Sequence, residues 1–144
     1  MNIKDIKNWF EIAIPEPTIE QACIQVGCHF EEFGEMMESI NMGGTDAIIN
    51  IEVEAEDFKQ AYDYWVHRVK DCDKIALLDS LCDQIVTAIG VAHMLDMDIE
   101  GALEEVNRSN HSKFVDGKAV FNEQGKIDKG KFYSKPELDK FIGG

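Results

Sequence analysis

The sequence has few basic residues: 14 lysines and arginines stand against 28 aspartates and glutamates, which gives a formal net charge of −14. Non-specific binding to nucleic acid or to an anionic membrane needs a basic surface, so this balance argues against both partners. An acid excess usually serves solubility alone, but clustered carboxylates also bind hard cations. A solvated acidic surface and a cation site are therefore the two interpretations of the charge.

The sequence also lacks paired cysteines and a secretion signal. None of the four cysteines forms a C-x-x-C pair, which makes a zinc site or a disulfide framework a weak interpretation. The first ten residues contain two lysines but no apolar run after them. The longest apolar stretch contains Asp79 and Asp83, so a transmembrane span is not predicted. We expect reduced thiols and a cytoplasmic protein.

The length of 144 residues favours one domain with a real hydrophobic core, and we predict a single domain over residues 1–144. Apolar residues at spacings of three and four indicate helices in most of the chain. The predicted helices cover residues 4–12, 18–41, 55–71, 74–95 and 98–110, with a last short helix over 136–142. Residues 45–52 are predicted to be a connector.

Local signals set the boundaries of these helices. Pro15 and Pro17 end the first one, and Thr18 with Gln21 forms a capping box for the second. Asp73 and Asp98 are the predicted N-caps of the two later helices. The basic tail from residue 113 contains two short apolar runs that could pair as a hairpin. The predicted fold is all-α, a bundle of about four to five helices with a short basic C-terminal tail that could form a small hairpin.

The helix over residues 74–95 is apolar nearly all the way round, which is typical of a helix in the middle of a core. It nevertheless carries Asp79 and Asp83 one turn apart on the same face. A buried carboxylate is costly unless it is paired or bound to a metal, and two neighbouring carboxylates also repel each other. We therefore expect a positive group opposite this pair.

The helix over residues 18–41 carries a polar stripe beside its apolar one. Gln25, His29 and Glu32 follow one another at helical spacing, and Glu35 lies further round. For any single glutamate, a solvated acidic face is the more common explanation. Two antiparallel helices that present Glu32 with Glu35 and Asp79 with Asp83 would, however, form a cage of oxygen ligands, as metal sites in helical bundles do. Magnesium suits such ligands, and manganese is possible.

Phosphate groups on a ligand would need further donors. Asn107, Arg108, Asn110 and Lys113 lie just after the acidic part of the chain and could supply them. Taken alone, these residues are also typical of an ordinary helix C-terminus.

Three segments together resemble a known family. The segments are Glu32-Phe-Gly-Glu35, Asp79-Ser-Leu-Cys-Asp83 and Asn107-Arg-Ser-Asn110-His-Ser-Lys113-Phe. In this order they are similar to the motifs of the all-α nucleoside triphosphate pyrophosphohydrolases. That family includes MazG-like proteins, dimeric dUTPases and phosphoribosyl-ATP pyrophosphohydrolases. The family pattern is E-x-x-E on one helix and E-x-x-D on another. This chain departs from it at Ser80, which stands where the family has glutamate, so Asp79 would have to replace that ligand.

The resemblance implies a magnesium-dependent hydrolysis of a nucleoside triphosphate to the monophosphate and pyrophosphate. Glu32 or Glu35 would orient or deprotonate the attacking water, and both would bind metal together with Asp79 and Asp83. The implied substrate contacts are Asn107, Asn110, Lys113, Gln25, His29, Arg108 and Tyr133. A homodimer or homotetramer is also implied. The nucleobase and the sugar are not predicted, beyond an inclination to a deoxynucleotide.

Two alternatives remain open from the residues. A non-catalytic acidic helical protein could bind a nucleotide or a protein partner, and a degenerate relative could bind nucleotide without cleaving it. Carboxylates on the surface would favour the first alternative, and carboxylates inside an apolar helix would favour the enzyme. Ser80 makes the second alternative credible.

Overall fold

Six α-helices and one two-stranded sheet are present in residues 2–143, the part of the chain that the computed structural model describes. About 65% of the chain is helical, and the all-α prediction is confirmed. The helices are α1 Ile3–Ala13, α2 Ile19–Ser39, α3 Asp46–Gln60, α4 Asp63–Lys70, α5 Lys74–Met94 and α6 Ile99–His111. The strands are β1 Val120–Phe121 and β2 Ile127–Asp128, and a 3-10 turn covers Asp139–Phe141.

The predicted helix caps are confirmed. The Thr18 hydroxyl accepts a hydrogen bond from the Gln21 backbone N–H at 3.2 Å, and the Gln21 side chain accepts one from the Thr18 N–H at 2.8 Å. Asp73 accepts two backbone N–H groups in the first turn of α5, both at 3.0 Å. Asp98 accepts the N–H of Gly101 at 3.0 Å. Each cap satisfies donors that a helix N-terminus otherwise leaves without partners. The predicted hairpin is also present, as β1 and β2.

The chain divides into two compact units. The first contains the described residues up to Glu16, then Asp73–Val120, and the described residues from Ile127 onward. The second contains Pro17–Cys72 and Phe121–Lys126. The single domain expected over residues 1–144 stays a prediction.

In the first unit, α1 packs on the end of α6 through an aromatic contact. Trp9 is only 6% exposed, and its ring stacks on Phe114 with centroids 5.5 Å apart and planes 7° apart. Ser109 on α6 is also buried. Within residues 2–143, the indole N–H of Trp9 is the buried side-chain polar group that has no hydrogen-bond partner. The stacking on Phe114 and the apolar burial of the Trp9 ring offset the cost of this unpaired donor.

In the second unit, α2 and α3 pack closely against each other. Cys23 and Gly27 on α2 are buried, as are Ile48 and Ala55 on α3. Small residues at the contact let the two backbones approach: a Cβ on Gly27 would lie 2.6 Å from the carbonyl oxygen of Ala55. Glycine is therefore required at Gly27 by a close approach of the backbones.

Three predicted elements were wrong. Residues 45–52 are not a connector, because α3 already begins at Asp46. The predicted helix over residues 55–71 is interrupted at Ala61, whose φ of 50° is left-handed, and resumes as α4. A left-handed residue commonly ends a helix, but alanine gives no sequence signal for it. The last helix, predicted over residues 136–142, is only the 3-10 turn at Asp139–Phe141.

The predicted burial of α5 was also wrong for the single chain. Ala92 is its buried residue, whereas Ile75 is 84% exposed and Val86 is 66% exposed. Asp79 and Asp83 are exposed as well. An apolar sequence indicates that a helix avoids water in its final environment, and it does not say that the same chain supplies that environment. By length and composition alone, α5 is also the one described helix that could cross a membrane.

Candidate functional site

Most of the predicted site residues of α2 are exposed to solvent. Gln25, Glu32 and Glu35 are exposed, and His29 is half-buried. The His29 ring meets the Phe33 ring edge to face, with centroids 5.3 Å apart. The imidazole therefore packs against an aromatic neighbour on its own helix.

The two aspartates of α5 lie in the first unit, on the exposed helix. Asp79 and Asp83 are one turn apart, as predicted, because α5 is a continuous helix from Lys74 to Met94. The backbone carbonyl of Asp83 accepts a hydrogen bond from the Thr87 hydroxyl at 2.9 Å. Both side chains are exposed to solvent, so the two carboxylates lie on the surface of this unit.

The predicted phosphate-binding residues lie at the end of α6 in the same unit. Asn107 and Asn110 are half-buried on α6, and Lys113 is half-buried directly after it. The Lys113 ammonium lies 5.9 Å from the centre of the Trp9 ring, within reach of a cation–π interaction. Tyr133 is half-buried, with the Lys129 ammonium 5.0 Å from its ring centre. The segment therefore has amide donors and cations close to one helix end.

Arg108 is held within its own unit. Its guanidinium donates two hydrogen bonds to the Glu105 carboxylate, at 2.8 and 2.7 Å, and one to the carbonyl of Lys135 at 3.1 Å. The Glu137 backbone N–H donates to Glu105 at 2.9 Å. The hydrogen bonds from Arg108, followed by that from Glu137, lower the pKa of Glu105 from 4.5 to about 2. This contact joins α6 to the C-terminal tail, so Arg108 has a structural task independent of any substrate.

An acidic cleft of 390 Å³ lies between α2 and α3, entirely within the second unit. Glu35 is the predicted site residue that it contains. Gly34 and Ala55 leave room at its base because neither carries a long side chain. The complete lining is Glu31, Gly34, Glu35, Glu38, Glu52, Ala55, Glu56 and Lys59. With five carboxylates and one ammonium group, the cleft attracts cations and repels free phosphate.

Glu31 is the most strongly engaged carboxylate of this cleft. It forms ion pairs with Lys59 and, at 2.8 Å, with Lys126 in the turn between the two strands. Burial raises the pKa of Glu31, but the hydrogen bonds from Lys126 and Lys59 outweigh burial and lower it overall. For Lys59, burial lowers the pKa, but the hydrogen bonds from the Lys59 ammonium to Glu31 and then to Glu56 outweigh burial and raise the pKa overall. The cluster fastens the turn onto α2 and α3.

The predicted metal ligands belong to different units, with Glu32 and Glu35 in the second and Asp79 and Asp83 in the first. Within residues 2–143, no group of three or more histidine, cysteine, aspartate or glutamate side chains is close enough to hold a metal ion. The donor chemistry itself suits magnesium, because all four predicted ligands offer only carboxylate oxygens. The four-carboxylate cage stays a prediction.

Sequence reasoning missed most of the cleft. The missed residues are Glu38, Glu52, Glu56 and the ion-pair cluster of Glu31, Lys59 and Lys126. The main cause is the connector assigned to residues 45–52, since a helix from Asp46 places Glu52 and Glu56 on one face, four residues apart. With that helix recognised, Glu54 and Asp57 of α3 also show the E-x-x-D spacing.

Comparison with known proteins adds no relative. No family profile, no curated protein and no solved structure matches the chain. The fold and the site define the class only as an all-α protein that carries an acidic cleft and an exposed apolar helix.

Proposed function

We propose that the protein is a magnesium-dependent nucleoside triphosphate pyrophosphohydrolase. The observation that carries the proposal is the set of three sequence segments: E-x-x-E on α2, the aspartate pair on α5 and the Asn107–Phe114 stretch. All three lie in or directly after helices of an all-α chain, as the resemblance requires. The substrate is a nucleoside triphosphate. A deoxynucleotide is favoured because the order of residues from Asp116 to Leu138 resembles the tail of one subgroup of the same family.

In the proposed reaction, water attacks the α-phosphorus and the α–β phosphoanhydride bond breaks. The products are a nucleoside monophosphate and pyrophosphate. Glu32 or Glu35 accepts the proton of the attacking water, for which a carboxylate within hydrogen-bond reach suffices. Asn110 donates hydrogen bonds to phosphate oxygens, and the Lys113 ammonium neutralises part of their charge.

Magnesium, when bound by Glu32, Glu35, Asp79 and Asp83, would neutralise phosphate charge and acidify a bound water. Asp79 is shorter than the glutamate that the family pattern has nearby, so we expect Asp83 to be the stronger ligand of the α5 pair. Asp57, in the E-x-x-D spacing of α3, is the competing ligand that should be tested beside it.

The decisive experiment is a substrate panel. The protein is incubated with the common nucleoside and deoxynucleoside triphosphates and magnesium, and pyrophosphate release is measured. We expect one nucleotide class to be cleaved. We expect Glu35→Gln to lower kcat by about 100-fold or more, because a general base typically contributes about 100- to 10,000-fold. Glu20→Gln, on the same helix but outside the motif, should keep wild-type activity. If no nucleotide in the panel releases pyrophosphate, the proposed enzymatic activity is refuted.

A second candidate is a non-catalytic acidic protein that binds a nucleotide or a protein partner. The exposure of Asp79 and Asp83 favours it, because surface carboxylates need no metal to offset burial. Calorimetry with a non-hydrolysable triphosphate separates the candidates. Binding without any turnover would support nucleotide binding alone, and turnover would exclude it.

A further inference from the structure

Trp9 packs against the end of α6 with an unsatisfied hydrogen-bond donor. Its side chain is 6% exposed, and its ring stacks on Phe114 with the two planes 7° apart. Within residues 2–143, its indole N–H has no hydrogen-bond partner. A buried donor without a partner destabilises a fold, so its presence calls for a physical reason.

Packing alone does not explain why this residue is a tryptophan. A phenylalanine would keep an aromatic ring against Phe114 and would bury no donor, so it would avoid the cost of the unpaired N–H. What a phenylalanine would lose is the larger and more electron-rich face of the indole. Among aromatic side chains, that face is the strongest partner for a cation. A cation beside Trp9 is therefore the feature that a tryptophan serves better than a phenylalanine.

Lys113 supplies this cation. Its ammonium lies 5.9 Å from the centre of the Trp9 ring, and both residues belong to the first unit. Within residues 2–143, Lys113 forms no salt bridge, although the chain has 28 acidic residues against 14 basic ones. A ring face holds an ammonium without neutralising it. The positive charge of Lys113 therefore remains available to an anion.

The C-terminal tail holds the backbone of Lys113. The carbonyl of Lys113 accepts a hydrogen bond from the N–H of Gly130 at 3.1 Å. The hydroxyl of the neighbouring Ser112 accepts one from the N–H of Ser134 at 2.8 Å. Glycine is required at Gly130, because an added Cβ would lie 2.5 Å from the Lys113 carbonyl oxygen. With its backbone fixed in this way, the long side chain of Lys113 takes its direction from the Trp9 ring.

We propose that Trp9 is a positioning residue, whose ring holds the Lys113 ammonium in place for the phosphate chain of the ligand. The inference rests on the proposed function, which supplies the phosphate-binding role of Lys113. Trp9 itself lies outside the three segments that resemble the known family, and it acts on the ligand only through Lys113. A lysine that is ordered before binding avoids the entropy loss of being ordered during binding. The gain is therefore in affinity for phosphates.

Trp9→Phe tests this role, with inorganic triphosphate in magnesium as the probe and calorimetry as the measurement. We expect the Kd to rise by about 2- to 10-fold, the usual cost of ordering one long side chain. The melting temperature should stay within about 5 °C of wild type, because removal of the unpaired donor offsets the smaller ring. Trp65→Phe, the same substitution in the second unit, is the matched control and should leave the Kd unchanged. An unchanged Kd in Trp9→Phe would overturn the proposal.

A double-mutant cycle with Lys113→Met tests whether Trp9 acts through Lys113. Methionine keeps most of the length of the lysine side chain but removes its charge. In the Lys113→Met background, Trp9→Phe should therefore have no further effect on the Kd for triphosphate. Equal effects of Trp9→Phe in both backgrounds would overturn the proposal, because Trp9 would then act independently of the ammonium. Circular dichroism verifies that the variants remain helical, and Trp9→Tyr replaces Trp9→Phe if the latter does not fold.

Steady-state kinetics separates a failure of this inference from a failure of the proposed function. With a nucleotide that is cleaved, Trp9→Phe should raise KM by about 2- to 10-fold and change kcat by less than about 2-fold. Hydrolysis with a wild-type KM in this variant overturns the role of Trp9 alone. Binding of triphosphate that depends on Trp9, without hydrolysis of any nucleotide, overturns the enzyme alone. A wild-type protein that does not bind triphosphate overturns the inference.

Discussion

Single residues in the second unit show how an acidic protein uses its few cations. Glu31 lies between two ammonium groups, and the Lys59 side chain is only 14% exposed. A mostly buried ammonium needs an ionised partner, because leaving it without one costs more than the ion pair gains. The predicted polar stripe of α2 did not include Glu31, since its partners come from α3 and from a turn far along the chain.

Glu31→Gln should lower the free energy of unfolding at pH 7 by roughly 1–2 kcal/mol, because the charge opposite both lysines is lost. Urea unfolding measures the change. Glu54→Gln, an exposed glutamate on α3, is the control and should have almost no effect. Equal effects of the two variants would contradict the assigned role of Glu31.

The Glu31 effect has a defined pH dependence. The pKa of Glu31 is lower in the folded chain than its ordinary value of 4.5. Its contribution to stability is therefore complete above about pH 4.5 and is lost as the pH falls through the folded pKa. We expect the difference between wild type and Glu31→Gln to shrink below pH 4.5 in the same urea titration.

The ion pair between Glu105 and Arg108 can be tested by measuring the pKa of Glu105. Because Arg108 is the main cause of its low pKa, Arg108→Gln should raise the pKa of Glu105 from about 2 toward 4.5. Carboxyl NMR shifts measured against pH report this value. A pKa that stays near 2 in the variant would assign the effect to the Glu137 N–H instead.

At the scale of elements, the contact between α2 and α3 depends on how closely two backbones approach. Gly27 faces backbone atoms of Ala55 and Lys59, at 2.6 and 2.8 Å from an added Cβ, and backbone atoms cannot rotate away. Gly34, two turns later, faces only side-chain atoms at 3.5 Å or more. The two glycines therefore have different reasons to be present.

Gly27→Ala should destabilise the protein by roughly 1–3 kcal/mol through overpacking. Gly34→Ala is the matched control and should stabilise it by roughly 0.5–1 kcal/mol, since alanine favours a helix over glycine. Thermal unfolding of both variants provides the test. Opposite signs are expected, and a stabilised Gly27→Ala protein would contradict the close packing of α2 on α3.

At the scale of the whole molecule, the net charge and the exposed apolar surface have opposite effects on association between molecules. Two molecules that each carry a net charge of −14 repel each other, whereas the exposed apolar side chains of α5 favour association. Cations relieve the first effect in a general way by screening. A site for magnesium would add a specific effect on top of screening.

Magnesium should raise the melting temperature more than sodium chloride of equal ionic strength does. A cation that binds only the native state, at about 100 times its Kd, stabilises it by roughly 2.7 kcal/mol. Differential scanning fluorimetry compares the two salts, and Asp83→Ala should lose the extra shift. If magnesium and sodium chloride are indistinguishable, or if Asp83→Ala responds like wild type, Asp83 is not a metal ligand.

The sequence alone determined those parts of the molecule that depend on neighbouring residues in the chain. Helical periodicity and the caps at Thr18, Asp73 and Asp98 act over one or two turns, and the structure confirms them. The left-handed break at Ala61 escaped prediction because no glycine marks it. The pairing of Asp79 with Asp83 on one helix face also follows from local spacing.

Only the tertiary structure decided which faces are covered. It placed Glu31 with Lys59 and Lys126, opened the acidic cleft between α2 and α3, and left α5 exposed. The physical reason is that an apolar pattern records how strongly a face avoids water, and carboxylate spacing records which side chains share a face. Neither records which distant segment, or which second molecule, comes to lie against that face.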